Sequence, residues 1–176
     1  MSFDLVFGGS EVPSHRLLLE GMGVRNFGLN FWRLVQRGLP KTKEYLLDGR
    51  FQDNANVFVD SGEQSLALDI GELKEYNDKL FQFLASNSHR VSFVTLLPGV
   101  PQQPYIDLLG LDRVIAMWDP NTGHKGLSAL AEQFPHVGIT GSSIDGDPTL
   151  ATRVNAMVSS LGTSFHGVAC ARPDNL

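Results

Sequence analysis

The sequence predicts an α/β fold, an incomplete (β/α)8 TIM-like barrel with about seven parallel strands that alternate with helices. Seven short apolar runs are continuous, which is typical of strands covered on both faces. Helix candidates separate the runs, and single crossovers of this kind favour a parallel sheet. The runs recur every roughly 22 to 34 residues, which suits repeated βα units, although a closed barrel of this type needs eight of them.

The predicted strands are short and apolar, and turn residues close most of them. They are Asp4–Gly8, Val24–Asn30, Asn56–Asp60, Arg90–Leu97, Arg113–Trp118, His136–Thr140 and Ser164–Cys170. Within Arg90–Leu97, several β-branched residues favour an extended chain, and the Pro98-Gly99 pair ends it.

The predicted helices lie between these strands. They are Pro13–Glu20, Asn30–Arg37, Lys41–Leu47, Ile70–Ser86, Gln103–Leu109, Lys125–Gln133 and Pro148–Leu161. Ile70–Ser86 is the longest, and its apolar residues recur at the spacing of one helix face. Asp147 is a suitable N-cap for the last helix, since Pro148 then takes its first position.

Length and composition indicate one globular domain spanning residues 1–176. Hydrophobic residues make up 42 % of the chain and charged residues 19 %, values typical of an ordinary soluble protein. The net charge of −5 argues against a broadly basic surface that coats nucleic acid, although a local basic groove stays compatible with it.

Cysteine content and the amino terminus favour a reducing, cytoplasmic setting, which is the host cytoplasm if the protein is encoded by a phage. Cys170 is the only cysteine, which excludes an intramolecular disulfide and a structural zinc site built from cysteines. The first residues lack the basic and apolar regions of a signal peptide. No apolar run reaches the length of a membrane span, and no cofactor or metal site is predicted.

Asp60 is the most strongly placed polar residue, because Val57-Phe58-Val59 delivers it into a Ser61-Gly62 turn. In parallel α/β proteins, the active-site and ligand-binding residues lie at the carboxyl ends of the strands. Asp119, before Pro120, ends another predicted strand, and two carboxylates facing one pocket can divide acid and base roles. The alternative for both residues is an ordinary turn at a strand end.

Three further features are weaker candidates for ligand contacts. The backbone of Gly8-Gly9-Ser10 could hold a phosphate or a sugar, although such a sequence is also a common turn. Trp32 could offer a stacking surface for a base, or begin a packed helix. His166, beside Gly167, could bond to a ligand, or be a hydrogen-bonded core residue.

Three motifs, in this order along the chain, resemble those of the tRNA-guanine transglycosylase superfamily. They are Asp60-Ser61-Gly62, then Val137-Gly138-Ile139-Thr140-Gly141, then Phe165-His166-Gly167-Val168 followed by Arg172-Pro173-Asp174-Asn175-Leu176. The resemblance is closest to the branch of phage and bacterial 7-deazaguanine DNA transglycosylase-like proteins, and it covers most of the chain.

The resemblance implies a base-exchanging transglycosylase-like protein that inserts a 7-deazaguanine into DNA or tRNA. In the family, the aspartate matching Asp60 binds the incoming base and assists proton transfer. The candidate substrate-binding residues that match the family's motifs are Ser61, Gly62, Thr140, Gly141, His166 and Gly167, and the residues themselves add Asp119, Gly8 and Gly9. The implied partners are guanine or a 7-deazaguanine, together with DNA or tRNA.

The chain also departs from the family pattern. The family nucleophile is an aspartate on the eighth strand, and the sequence stops at Leu176 before that strand. Leu96-Leu97-Pro98-Gly99 stands where the family has a base-recognising acid, so Asp119 is at best a displaced substitute. Base exchange would therefore require further residues, or a partner chain or second copy that completes the barrel.

Two other functions stay open at this stage. One is a catalytically inactive, barrel-derived protein used for binding or assembly, for example in a phage. The other is a different TIM-barrel enzyme such as a lyase or hydrolase, because the fold does not determine the reaction.

Overall fold

The computed structural model describes residues 6–36, 45–62, 70–97, 100–140 and 164–168. The chain divides into two compact units, a first unit of residues 1–108 and a second unit of residues 109–176. Both contain parallel strands that alternate with helices, which confirms the α/β class predicted from the sequence.

The first unit contains three parallel strands, β1 (Asn26–Asn30), β2 (Asn56–Asp60) and β3 (Val91–Thr95). β1 and β2 pair without a break, from Asn26 opposite Asn56 to Asn30 opposite Asp60. β2 pairs with β3 on its other side, with a register shift between Val57 and Phe58. The carboxyl ends of all three strands therefore lie at one edge of this sheet.

Four helices accompany these strands: α1 (Pro13–Gly21), α2 (Phe31–Gln36), α3 (Ile70–Asn87) and α4 (Gln103–Leu109). α1 leads into β1, α2 follows β1 directly, and α3 connects β2 to β3. Inclined aromatic rings join α2 to α3, since the Phe31 ring lies 5.4 Å from the Tyr76 ring at 62° and 5.3 Å from the Phe83 ring at 40°.

The two faces of this sheet differ, contrary to the expectation that both are fully buried. Phe27 and Leu29 are buried on one face of β1, while Asn26, Gly28 and Asn30 alternate with them and are only half-buried. β2 repeats the pattern, with Val57 and Val59 buried. One face thus packs against helices, and the other carries the polar side chains.

Asn87, at the end of α3, fixes the connection that precedes β2. Its amide oxygen accepts from the backbone N–H of Leu47 at 2.7 Å. Its amide nitrogen donates to the carbonyls of Tyr45 at 2.9 Å and Phe83 at 2.8 Å. Asn87 is 1 % exposed, so this side chain replaces water for three backbone groups at once.

The second unit contains β4 (Val114–Met117), β5 (His136–Thr140) and β6 (Ser164–Val168), which are also parallel. β5 lies between the other two strands and pairs with β6 over its full length. The helix α5 (Gly123–Gln133) connects β4 to β5. Short 3₁₀ turns, Leu111–Arg113 and Pro120–Thr122, flank β4.

Several predicted boundaries are correct. Asn56–Asp60, His136–Thr140 and Gln103–Leu109 match the structure at both ends. The predicted strands Val24–Asn30, Arg90–Leu97 and Arg113–Trp118 are shorter in the structure. The predicted strand Ser164–Cys170 is confirmed over its described residues, and its last two residues lie outside the described ranges. Val24 is excluded from β1 because its N–H bonds to the carbonyl of Leu19 at the end of α1.

The first predicted strand, Asp4–Gly8, needs correction. Within its described residues, 6–8, only Phe7 forms a bridge, parallel to Phe27. The chain turns away immediately afterwards, and Ser10 instead donates its N–H to the carbonyl of Gly28. The described residues therefore form six strands, where the sequence predicts about seven.

The predicted helix Lys41–Leu47 is also wrong for its described part, since residues 45–47 are irregular and held by Asn87. The predicted helix Pro148–Leu161 lies outside the described residues. Within the described ranges, no helix combines the length and apolarity that a bilayer crossing requires.

Replacing Asn87 with alanine is expected to lower the free energy of unfolding by about 2–4 kcal/mol, because three buried backbone groups lose their partner. Urea denaturation followed by circular dichroism measures this change. Ser86→Ala is the matched control, since Ser86 is only half-buried and bonds solely to the Gln82 carbonyl of its own helix. Equal losses in the two variants would contradict this role of Asn87.

Candidate functional site

The candidate site lies at the carboxyl ends of β1, β2 and β3 in the first unit. Asn30 ends β1, and Asp60 ends β2 directly opposite it. Thr95 ends β3 and is 6 % exposed. The parallel register brings together side chains that lie 30 or more residues apart in sequence. We call the group Glu11, Asn30, Asp60, Ser61 and Gly62 the strand-end site.

The Asp60 carboxylate accepts one hydrogen bond on each oxygen. The Asn30 side-chain amide donates to Oδ2 at 2.8 Å. The Gly62 N–H donates to Oδ1 at 2.9 Å, which closes a turn of the type favoured by aspartate. A carboxylate has about four acceptor positions, and donors from the described residues fill two of them on the half-buried Asp60.

Asn30 has a second task that fixes its orientation. Its Oδ1 accepts from the backbone N–H of Arg33 at 3.0 Å and thereby caps the amino end of α2. Because the carbonyl oxygen faces the helix, the amide nitrogen faces Asp60. Only this orientation satisfies both neighbours, since a backbone N–H can only donate and a carboxylate can only accept.

The backbone after Asp60 is anchored by two buried hydroxyl groups. The Ser61 N–H donates to Thr95 Oγ1 at 2.8 Å, and the two hydroxyls lie 3.1 Å apart. The Tyr76 hydroxyl donates to the Ser61 carbonyl. Burial, and secondly the charge of Asp60, raises the pKa of Tyr76, so its hydroxyl stays protonated and keeps donating at physiological pH. Both the N–H and the carbonyl of Ser61 are therefore fixed by hydrogen bonds.

Gly62 allows this turn to lie against the start of α2. Its φ angle is +77°, a region that favours glycine. A Cβ atom at this position would lie 2.6 Å from Cβ of Trp32. The Trp32 ring is half-buried and packs edge-on against Tyr76, with the ring centres 5.7 Å apart. Trp32 therefore lies next to the Asp60 turn, as required of an aromatic that stacks on a bound ring.

Glu11 belongs to the site although the sequence reasoning missed it. Its side chain is 0 % exposed, and its carboxylate lies 3.4 Å from both the Asn30 backbone nitrogen and Arg33 Nη1. Asn30 thus contacts one carboxylate through its backbone and another through its side chain. Glu11 could have been predicted from its position, since it is an acidic residue that directly follows the Gly9-Ser10 turn near the carboxyl end of the first predicted strand.

The predicted Gly8-Gly9 segment adjoins this site. A Cβ on Gly28 would lie 3.2 Å from the Gly8 Cα, so the segment packs closely on β1. The Gly9 carbonyl accepts from the Val12 N–H, and the buried Ser10 hydroxyl donates to the Phe7 carbonyl at 3.2 Å. These bonds present Glu11 towards Asn30.

The other predicted site residues belong to the second unit. Asp119 is exposed, and its Oδ1 accepts from the backbone and the side chain of Asn121, both at 2.9 Å, as the cap of a 3₁₀ turn. Thr140 is the last residue of β5, while His166 and Gly167 in β6 pair with Gly138 and Ile139 of β5. Gly141 lies outside the described residues.

Among the described residues, no three His, Cys, Asp or Glu side chains lie close enough together to hold a metal ion. The strand-end site offers the half-buried Asp60 carboxylate as an acceptor, next to the turn against which Trp32 Cβ lies. Such an arrangement suits a ligand with paired N–H donors and a planar ring.

Comparison of the chain with protein-family models, curated proteins and solved structures finds no match. The site's geometry and the motifs of the sequence are therefore the basis for assigning a function.

Replacing Asn30 with aspartate is expected to lower the free energy of unfolding at pH 7 by about 1–3 kcal/mol. Aspartate can still cap α2, but it places a second negative charge against Asp60 where an N–H donor stood. Urea denaturation measures the loss.

The matched control is Asn26→Asp, on the same strand and face. Asn26 accepts from the Asn56 amide at 2.8 Å, so an aspartate there keeps that bond, and the stability should hardly change. A loss at position 26 as large as that at position 30 would contradict the assigned orientation of Asn30.

Proposed function

We propose that this chain is a base-exchanging transglycosylase-like protein whose strand-end site binds guanine or a 7-deazaguanine destined for DNA or tRNA. The observation that carries the proposal is the Asp60 carboxylate, which accepts one hydrogen bond on each oxygen from the described residues and has a second acceptor position on each oxygen for a ligand. The proposal also includes the finer fold expected from the sequence, a (β/α)8-type barrel to which these strands belong.

The ring edge of guanine presents an N–H and an adjacent NH₂ group, both of them donors. A fixed carboxylate can accept both at once through its two oxygens, in the way that it pairs with a guanidinium. Trp32, whose Cβ lies against the Asp60 turn and whose half-buried ring packs edge-on on Tyr76, is the aromatic side chain on which a planar base would stack. Adenine lacks this pair of donors, so the site should discriminate against it.

Exchange of a base requires two chemical roles. A nucleophile attacks the sugar carbon as the glycosidic bond breaks, and an acid or base moves a proton at the departing or incoming purine. In this proposal Asp60 orients the base for the second role, because it binds the N1–H and NH₂ edge; the proton at the ring nitrogen that bonds to the sugar, on the other side of the purine, is moved by a separate acid or base. The nucleophile is the aspartate that the family carries on its eighth strand, and in this proposal it comes from further residues or another chain.

A binding or assembly protein without catalysis is the second candidate. Asp119, the other predicted carboxylate, has its Oδ1 occupied by two donors from Asn121 and serves its own turn. Because these hydrogen bonds hold the Asp119 carboxylate in its own turn, Asp119 gives no support for a second reactive carboxylate. A protein in which Asp60 recognises a base without catalysis needs none. The two candidates share base binding and differ in turnover.

Isothermal titration calorimetry with guanine, 7-deazaguanine and adenine tests base binding. We expect the purified chain to bind the first two, and Asp60→Asn to weaken binding roughly 10- to 100-fold, because a hydrogen bond to a charged acceptor is lost. The control, Asp53→Asn, removes an equal charge at an exposed turn of the same unit. An equal affinity for adenine, or no effect of Asp60→Asn, would contradict the proposal.

Incorporation of labelled guanine into a DNA duplex or tRNA distinguishes the two candidates. Exchange that is lost in Asp60→Asn supports the transglycosylase. Specific base binding without exchange, in the protein and any complex it forms, favours the binding protein.

A further inference from the structure

Asn30 has one hydrogen-bond donor that its contacts with the rest of the site do not use. Its side-chain amide nitrogen carries two N–H groups. One of them donates to Asp60 Oδ2 at 2.8 Å, while the amide oxygen accepts from the Arg33 backbone N–H at 3.0 Å. No residue in the part of the chain that the structure describes accepts from the second N–H. This half-buried donor is therefore available to a ligand.

The position of this donor is fixed by its neighbours in the strand-end site. The pairing of β1 with β2 holds Asn30 opposite Asp60, and Glu11 Oε2 lies 3.4 Å from the Asn30 backbone nitrogen. Rotation of the amide would break its hydrogen bonds to Asp60 and Arg33 together. The amide nitrogen therefore stays beside Oδ2 of Asp60, whereas the Gly62 N–H lies beside Oδ1.

Asp60 and Asn30 together offer acceptor, acceptor and donor groups in a row, namely Oδ1, Oδ2 and the second N–H on Nδ2. Proteins read the edges of bases through such patterns of donors and acceptors. The amino group, N1–H and carbonyl O6 of guanine form the complementary row, and 7-deazaguanine has the same edge. Cytosine presents acceptor, acceptor and donor to guanine in a base pair. The two side chains thus repeat the pattern of the partner of guanine in a duplex.

A guanine bound to both oxygens of Asp60 has two possible orientations, and only one of them uses Asn30. O6 lies beside Oδ2 in one orientation and beside Oδ1 in the other. The group beside Oδ1 is the Gly62 backbone N–H, whose single proton already bonds to Oδ1 at 2.9 Å. Of the two groups that flank the carboxylate, only the Asn30 amide has a second proton to donate to the carbonyl.

We propose that Asn30 determines the specificity of the strand-end site by donating its second amide N–H to O6 of the bound guanine or 7-deazaguanine. The inference rests on the proposed function, because it concerns the base that Asp60 binds. It assigns one orientation to that base, with N1–H on Oδ2, the amino group on Oδ1 and O6 on Asn30. Adenine carries an amino group in the place of O6, so it sets a donor against this donor.

Isothermal titration calorimetry of the full chain with guanine, 6-thioguanine and hypoxanthine tests this contact. 6-Thioguanine keeps both donors of the edge and replaces O6 with sulfur, which is a weak acceptor. Hypoxanthine keeps O6 and N1–H and lacks the amino group. We expect guanine to bind roughly 3- to 10-fold more tightly than 6-thioguanine, which is the effect of one neutral hydrogen bond.

Asn30→Ser separates recognition of O6 from a purely structural role of Asn30. The serine hydroxyl can still cap α2, but it lacks the amide donor. The preference for guanine over 6-thioguanine should disappear, while the preference for guanine over hypoxanthine, which reports the amino group on Asp60, should persist. A purely structural role would weaken all three bases by the same factor. The control is Asn26→Ser, at the other end of the same strand face, and it should change neither preference.

Three results would overturn the proposal, and they also separate it from the proposed function. Guanine binding that is weakened by Asp60→Asn, with an unchanged preference over 6-thioguanine in Asn30→Ser, leaves the proposed function intact and removes the role of Asn30. Equal affinities of the unmodified chain for guanine and 6-thioguanine do the same, and this comparison needs no variant. No binding of guanine to the unmodified chain rejects both. Circular dichroism verifies that each variant is folded.

Discussion

The pairing of β1 with β2 is the constraint on which the strand-end site depends. The unbroken register places Asn30 opposite Asp60, and a shift of β2 by one residue would send Asp60 to the helix-covered face. Buried Val57 and Val59 make such a shift costly, because they would then face the more open side. The hydrophobic packing of one face thus determines the polar geometry of the other.

Sequence patterns predicted the elements whose signals are local. Asn56–Asp60 and Gln103–Leu109 were found with correct ends, because β-branched runs and helix-forming runs there are bounded by turn residues. The strand expected at Asp4–Gly8 was reduced to a bridge at Phe7 among its described residues, because the pairing of Ser10 with Gly28 is a contact between distant segments. Irregular residues 45–47 depend in the same way on Asn87, which lies 40 residues further along.

The candidate site was predictable in part. Asp60 was identified because an apolar strand delivers it into a Ser-Gly turn, a signal contained in six residues. Asn30 was predictable as a strand-end residue, but its hydrogen bond to Asp60, 30 residues away, was not. Glu11 gains its significance only through contact with Asn30, 19 residues away, which no local pattern records. The orientation of α1, which buries Arg16, was equally hidden, since the sequence of Pro13–Gly21 does not state which face meets the sheet.

Because Gly62 has no side chain, the turn after Asp60 packs closely on Trp32, and this packing limits how a ligand can bind. Because the turn after Asp60 contacts the backbone and Cβ of Trp32, neither segment can shift towards the other. In the same turn, the Ser61 N–H is bound by the Thr95 hydroxyl and the Ser61 carbonyl by the Tyr76 hydroxyl. A molecule that binds Asp60 therefore meets a preformed turn at residues 60–62, so the direction from which its donors approach this carboxylate is fixed before binding.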